Sequence, residues 1–265
     1  MTREISIYQV DAFASKLFEG NPAAICPLDE WLPETLMQSI ALENNLSETA
    51  FFVENKGEFS IRWFTPQAEV DLCGHATLAS AFVIFTYLNY QKNEIIFHSK
   101  SGMLKVSRNN TQQTDWYEMN FPSQKPSACA LPSELKNAFN QVPIACLRSE
   151  DYILIFSNED YVKNVTPDIA LLKKLDLRGV LISSQSQEFD FVARCFAPKY
   201  GIDEDPVTGS AYTQLVPYWS SVIDKKDFLA KQVSSRGGVV KCSQLEDRVL
   251  VAGTAIGYLS GRITI

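Results

Sequence analysis

Apolar and polar residues recur along this chain with two periods, and the switches between them predict its elements. Residues 4–10 alternate, with Ile5 and Ile7 two apart, and predict a first strand. A loop dense in turn formers follows, DAFAS at 11–15 and then EGNPAA at 19–24, before the chain returns to an apolar strand. Trp31 to Asn45 reads as a helix, with Pro33 near its first turn, Leu36, Ile40 and Leu42 at helical spacing, and Asn44-Asn45 at its end. A strand at 58–65 leads through Pro66 to a long apolar helix at about 74–88, and strands at 94–98 and 101–108 meet at a Ser101-Gly102 turn. The polar stretch 109–115 predicts a domain boundary. Beyond it come a strand near 116–121, a helix at about 132–140, and strands near 144–148 and 151–157. A short helix after Pro167, strands at 179–183 and 189–197, a helix at about 207–222 and a strand-rich tail from Val233 complete the order. This is an α+β pattern in two halves, 1–114 and 115–265, with the last strand free to return to the first half.

The two halves share a motif. Arg62, Phe64 and Pro66 close one strand, and Arg194, Phe196 and Pro198 close another 132 residues later. Asp71 precedes Gly74-His75-Ala76, and Asp205 precedes Gly209-Ser210-Ala211, now 135 residues apart at the glycines, so the second turn is slightly longer. Two helix N-termini near polar side chains make a seat for a carboxylate ligand and predict a cleft between the halves.

Hydrophobic content of 46% over 265 residues supports a sizeable core, and a net charge of −7 argues against nucleic acid or an anionic membrane as partner. The most apolar run, around Ala79 to Leu88, is about half of what a bilayer span requires. The N-terminal residues lack the apolar core of a signal peptide, so a cytoplasmic protein is expected. Six scattered cysteines without a C-x-x-C pair then favour reduced thiols.

Chemistry has few places to reside. The chain holds two histidines. His98 falls in a strand and reads as structural. His75 stands at a helix start, where the dipole disfavours its protonated form and leaves a neutral imidazole; capping its own helix is the alternative. Glu48 follows a helix and opens an apolar strand, where a partly desolvated carboxylate suits acid/base work. Gly20 and Asn21 can turn backbone N–H groups toward a ligand, or form a plain turn. Asp205, just before Pro206, is placed to be the N-cap of the second helix. No metal site, phosphate-binding glycine loop or serine-hydrolase elbow is visible, so no cofactor is expected.

The motifs DAF…GNPAA, LSETAFF, RWFTP…EVDLCGHATLA and EDPVTGSA, in this order, resemble the PhzF (phenazine-biosynthesis-like) family, and the resemblance runs essentially end to end. It implies the diaminopimelate-epimerase fold: two pseudo-symmetric α+β domains, each a curved, mostly antiparallel sheet wrapping a central helix. It also implies a cofactor-independent isomerase of a small carboxylate, as a homodimer. The family's motif places the catalytic carboxylate at Glu48, with His75, Asp205 and Ser210 as helpers. Gly74, Cys73, Gly209, Thr208 and Asn21 are the substrate-binding residues expected beside them. Related racemases carry a cysteine before each helix-start glycine; here these positions are Cys73 and Thr208, which disfavours a two-thiol mechanism. A single-base epimerase or dehydratase of an amino or hydroxy acid, and a non-catalytic small-acid binder, remain as alternatives.

Overall fold

The computed structural model describes residues 3–110 and 114–265. The chain forms two compact units, residues 1–120 with 252–265, and residues 121–251. The first unit begins with β1 (Glu4–Ala12), β2 (Asn21–Leu28), α1 (Glu34–Asn44), β3 (Glu48–Asn55) and β4 (Glu58–Phe64). It continues with β5 (Glu69–Val70), α2 (Gly74–Tyr87), β6 (Glu94–Ser99), β7 (Gly102–Asn110) and β8 (Asp115–Pro122). The second runs through β9 (Ser127–Ala128), α3 (Ser133–Ala138), β10 (Ala145–Arg148), β11 (Tyr152–Ile155), α4 (Glu159–Asn164) and α5 (Ile169–Leu172). Then follow β12 (Val180–Gln185), β13 (Phe191–Ala197), β14 (Ile202–Asp205), α6 (Gly209–Ile223), β15 (Asp227–Gln232), β16 (Gly238–Gln244) and β17 (Arg248–Gly253). The closing strand, β18 (Ala255–Thr264), pairs antiparallel with β1 and so belongs to the first unit.

In the first unit β1 pairs antiparallel with β2, β2 parallel with β3, and β3 antiparallel with β4. Strand alternation gives this sheet two different faces. Ala24, Cys26 and Leu28 of β2 and Phe51 of β3 pack with Met37, Ile40 and Ala41 of α1. The opposite parity, Ala23 and Ile25 with Ala50 and Phe52, is equally buried and turned away from α1. Helix α2 packs against β1, β2, β3 and β18. It is buried from His75 through Ala81 and again at Val83, Ile84 and Phe85, as expected of a helix apolar all round.

The second unit repeats the device. Strands β11 and β12 pair in parallel, β12 and β13 antiparallel, and their residues are almost all buried, as a sheet covered on both faces requires. Leu135, Phe139, Val162 and Leu172 of the short helices pack with Val180, Ile182, Val192 and Phe196. Helix α6 is buried along most of its length, and its Trp219 stacks on Phe191 at 5.6 Å and donates its indole N–H to Ser183 Oγ.

Several boundaries differ from the sequence reading. The described ends of the stretch 109–115 belong to the paired strands β7 and β8, Asn109↔Trp116 and Asn110↔Asp115, not to a break between units. Residues 111–113 lie outside the described residues. The break between units falls instead after Asn120. Pro33 caps α1 from outside, and α1 therefore starts at Glu34 rather than Trp31. Among the described residues no helix is long and apolar enough to cross a membrane.

Candidate active site

Strand register explains how distant residues of the first unit converge. Ala23 of β2 lies opposite Glu48 of β3. Glu48 shares its parity with Ala50 and Phe52, and Asn21 shares its own with Ala23 and Ile25. Both therefore project to the face that α2 covers. Helix α2 begins at Gly74, after Cys73 in extended conformation, and presents His75 in its first turn. The result is a buried cluster. Glu48 Oε2 lies 3.1 Å from His75 Nε2, while Asn21 Nδ2 and Cys73 Sγ lie 3.3 and 3.5 Å from His75 Nδ1. Glu48 and His75 are only 8% and 5% exposed, so the pair meets in a nearly dry environment. Their contact has hydrogen-bond distance but not hydrogen-bond alignment, which leaves Glu48 Oε2 and His75 Nε2 buried without a satisfied partner.

The charge of His75 departs from the sequence expectation. Burial pulls the imidazole pKa down, but the Cys73 thiol and the Glu48 carboxylate outweigh it, and the net direction is well above the ordinary imidazole value. The upward pull comes first from Cys73 and then from the Glu48 carboxylate 3.1 Å away, and it opposes the effect of the helix dipole. The Cys73 thiol is pushed up to about 11, first by burial and then by the Glu48 charge, and stays protonated at neutral pH.

Among the described residues, Glu48, Cys73 and His75 also offer three potential metal-ligand atoms within 4.8 Å of one another. Zinc takes a thiolate and a neutral imidazole, so an ion here would have to displace a proton from both Cys73 and His75.

The loop before Asn21 is conformationally costly. Phe13 and Phe18 have φ of +59° and +72°, unusual for bulky side chains, and Gly20 has φ of +68°. A Cβ on Gly20 would lie 2.1 Å from Ala12 O, so only glycine fits beside Asn21.

In the second unit Thr208, Gly209, Ser210 and Asp205 also gather, but with different partners. Asp205 is not an N-cap: it ends β14 opposite Cys195, and α6 starts four residues later at Gly209, with Thr208 as the N-cap residue. Thr208 Oγ1 donates to Asp205 Oδ2, and the buried Gln232 accepts from Thr208 N–H and donates to Asp205 O. Ser210 Oγ accepts a hydrogen bond of 3.1 Å from Arg178, whose guanidinium also grips the buried Asp151 through two nitrogens. Gln214 completes that network by donating to Asp151 Oδ2 at 2.7 Å. Sequence reasoning missed Asp151, Arg178, Gln214 and Gln232, because nothing in their local pattern marks them as buried partners.

The repeated arginines prove equivalent. Arg62 holds Glu69 through two nitrogens at 2.7 Å, and Arg194 holds Glu204 in the same way at 2.6 and 2.9 Å. Each guanidinium also lies over a phenylalanine, Phe64 at 5.2 Å and Phe196 at 4.9 Å. The longer second turn is filled by the 3₁₀ segment Pro198–Tyr200 and Gly201.

The chain is similar to known proteins over nearly its whole length. The family model for phenazine biosynthesis-like proteins, PhzC-PhzF, matches residues 10–261. The chain belongs to that family. An uncharacterized isomerase of Pseudomonas aeruginosa is 46% identical over 98% of this chain and 99% of its own length. A PhzF-family crystal structure from Enterococcus faecalis superposes with a TM-score of 0.94 at 42% identity, covering 98% and 99% of the two chains. A hydroxyproline epimerase from Agrobacterium vitis, at 8% identity and a TM-score of 0.66 over 99% and 93% of the chains, shares the α+β fold alone. As a member of this PhzF-like family with relatives named isomerases, the chain is an isomerase.

Proposed function

We propose that this PhzF-like isomerase moves a proton between carbon atoms of a small carboxylate-bearing metabolite, with Glu48 as acid/base and without a cofactor. The observation that carries the reading is the convergence of Asn21, Glu48, Cys73 and His75 into one buried cluster at the start of α2. A carboxylate and an imidazole left without aligned partners in a dry site cost stability unless a ligand engages them.

In the proposed reaction Glu48 removes a proton from a carbon next to a carbonyl or carboxyl group. The charge that develops on the substrate oxygen is met by the His75 imidazolium and by N–H groups of the first turn of α2, beginning at Gly74. Glu48, now protonated, returns the proton to a different carbon, and the double bond moves. We extend the proposal to Asp205, Thr208, Gly209 and Ser210 as residues of the second unit that hold the same substrate, and to a homodimeric, cytoplasmic protein. Stereoinversion through Cys73 is the weaker reading, because its thiol is held at about 11 and Thr208 stands at the matching position.

The test is deuterium incorporation. Wild type and Glu48→Gln are incubated in heavy water with a panel of small unsaturated, amino and hydroxy carboxylic acids, and NMR follows deuterium entering carbon. Exchange or a moved double bond in wild type alone supports the reading, and the accepted acid names the substrate class. Equal exchange in both proteins overturns the role of Glu48. Loss of an amino or hydroxy group in place of a moved double bond would establish elimination instead.

A further inference from the structure

Two of the six cysteines are not isolated in the fold. Strands β9 and β10 pair antiparallel, with Ser127 opposite Arg148 and Ala128 opposite Leu147, so the next position sets Cys129 opposite Cys146. The Cys129 backbone N–H donates to Cys146 O at 3.0 Å, continuing that ladder. Residues directly opposite in an antiparallel pair have Cα atoms about 4.5–5.5 Å apart, within the roughly 4.4–6.8 Å that a disulfide spans. The two Sγ atoms lie 3.5 Å apart, and both side chains are part-buried. Cys26, Cys73, Cys195 and Cys242 are all buried. Burial and the neighbouring Cys129 thiol push the Cys146 thiol up to about 12. The pair belongs to the second unit, and the Glu48–His75 cluster to the first.

We propose that Cys129 and Cys146 form a dithiol modification site that closes into an intramolecular disulfide by exchange with a small-molecule disulfide. One cysteine, as thiolate, attacks a sulfur of the small disulfide, breaks its S–S bond and expels one small thiolate. The second cysteine, as thiolate, attacks the protein sulfur of this mixed disulfide and expels the other. The protein gives up two electrons, the small disulfide is reduced to two thiols, and the two cysteine protons end on those thiols. Chain geometry makes the second step fast, because the resolving sulfur is already in contact. The bond would pin the outer end of a segment whose inner end is attached to α6: Gln124 N–H donates to Thr213 O, and Thr213 Oγ1 lies 2.7 Å from Ser210 O.

The full chain is incubated with excess oxidised glutathione, quenched with iodoacetamide and mapped with trypsin. Lys125 is followed by Pro126, so cleavage after Lys136 separates the cysteines into peptides 109–136 and 137–148. The expected result is these two peptides joined, in large excess over any other cysteine pairing, and parted again by dithiothreitol. Cys129→Ser and Cys146→Ser should each instead accumulate a glutathione adduct on the remaining partner. Wild-type protein that carries glutathione adducts without the link, joins a different pair, or keeps both thiols alkylated would overturn the proposal. The wild-type map decides the matter even where a variant folds poorly.

Discussion

Glu48→Gln keeps the shape of the side chain and removes the charge that faces His75 Nε2 at 3.1 Å. A positioned acid/base group contributes about 10²–10⁴ in rate, which at about 1.4 kcal/mol per decade adds roughly 3–5 kcal/mol to the barrier. kcat should fall by that factor, while KM changes little because the amide still reaches His75. A second readout is independent of substrate. With the carboxylate gone, one of the two groups that raise the His75 pKa is lost while burial still lowers it, so the pKa should drop. The chain has two histidines, so proton NMR can follow the His75 ring directly. Because the folded pKa of His75 is raised above its ordinary 6.5, its contribution to stability is complete below pH 6.5 and is lost as pH rises through the raised value. Above pH 9.0 the Cys73 thiol adds a further loss up to about 11, since the unfolded thiol ionises first. Between pH 6.5 and 9.0 the slope therefore reports His75, and Glu48→Gln should flatten it. Turnover at the wild-type level would refute Glu48 as acid/base; an unmoved His75 titration and an unchanged slope would refute the electrostatic coupling.

Other substitutions separate the roles of neighbouring groups. Cys73→Ser should leave kcat within a few-fold of wild type in the deuterium assay, and a loss comparable to that of Glu48→Gln would bring the thiol back into the mechanism. Gly20→Ala forces a side chain into a left-handed backbone, at roughly 1–2 kcal/mol, with its Cβ 2.1 Å from Ala12 O. It should lower the denaturation midpoint and, by displacing Asn21, also reduce turnover. Arg194→Met strands Glu204 and the carbonyls of Val162 and Val165, and should cost about 3–5 kcal/mol in chemical denaturation. Arg62→Met should cost only about 1–2 kcal/mol, because Glu69 keeps Lys100 and Arg62 is the more exposed of the two arginines; equal losses would contradict that ranking.

How much was legible in the sequence depended on whether a signal was local. The starts of α2 and α6 were visible because glycine followed by small and apolar residues is a local pattern, as was the Arg-x-Phe-x-Pro repeat. Glu48 was singled out at its helix-to-strand junction, but the role came from a motif; only the pairing of Ala23 with Glu48 puts it beside His75. For His75 the dipole of its own helix is readable in the sequence, whereas the Glu48 carboxylate that faces it from another strand is not. Asp205 was misread as a cap because aspartate before Pro206 is a common helix start, whereas a strand, β14, holds it until Gly209 begins the helix. Helix α4 was missed although Asn158 caps it, accepting from Asp160 and Tyr161 N–H, since six residues are too few for a periodic signal. The Cys129–Cys146 contact and the Arg178–Asp151 network arise from register and tertiary packing alone.

The pairing of β1 with β18 has a consequence for biosynthesis. Residues 121–251 form an uninterrupted unit, while the sheet that carries Glu48 lacks its neighbour for β1 until residues 255–264 have left the ribosome. At about 5–20 residues per second, synthesis of the intervening stretch lasts on the order of ten seconds. Throughout that interval β1 presents an unpaired edge to the surroundings, a template for mispairing with other nascent chains. The order of folding thus runs against the order of translation: the later-made unit can finish first, and β1 gains its second neighbour only once residues 255–264 are made.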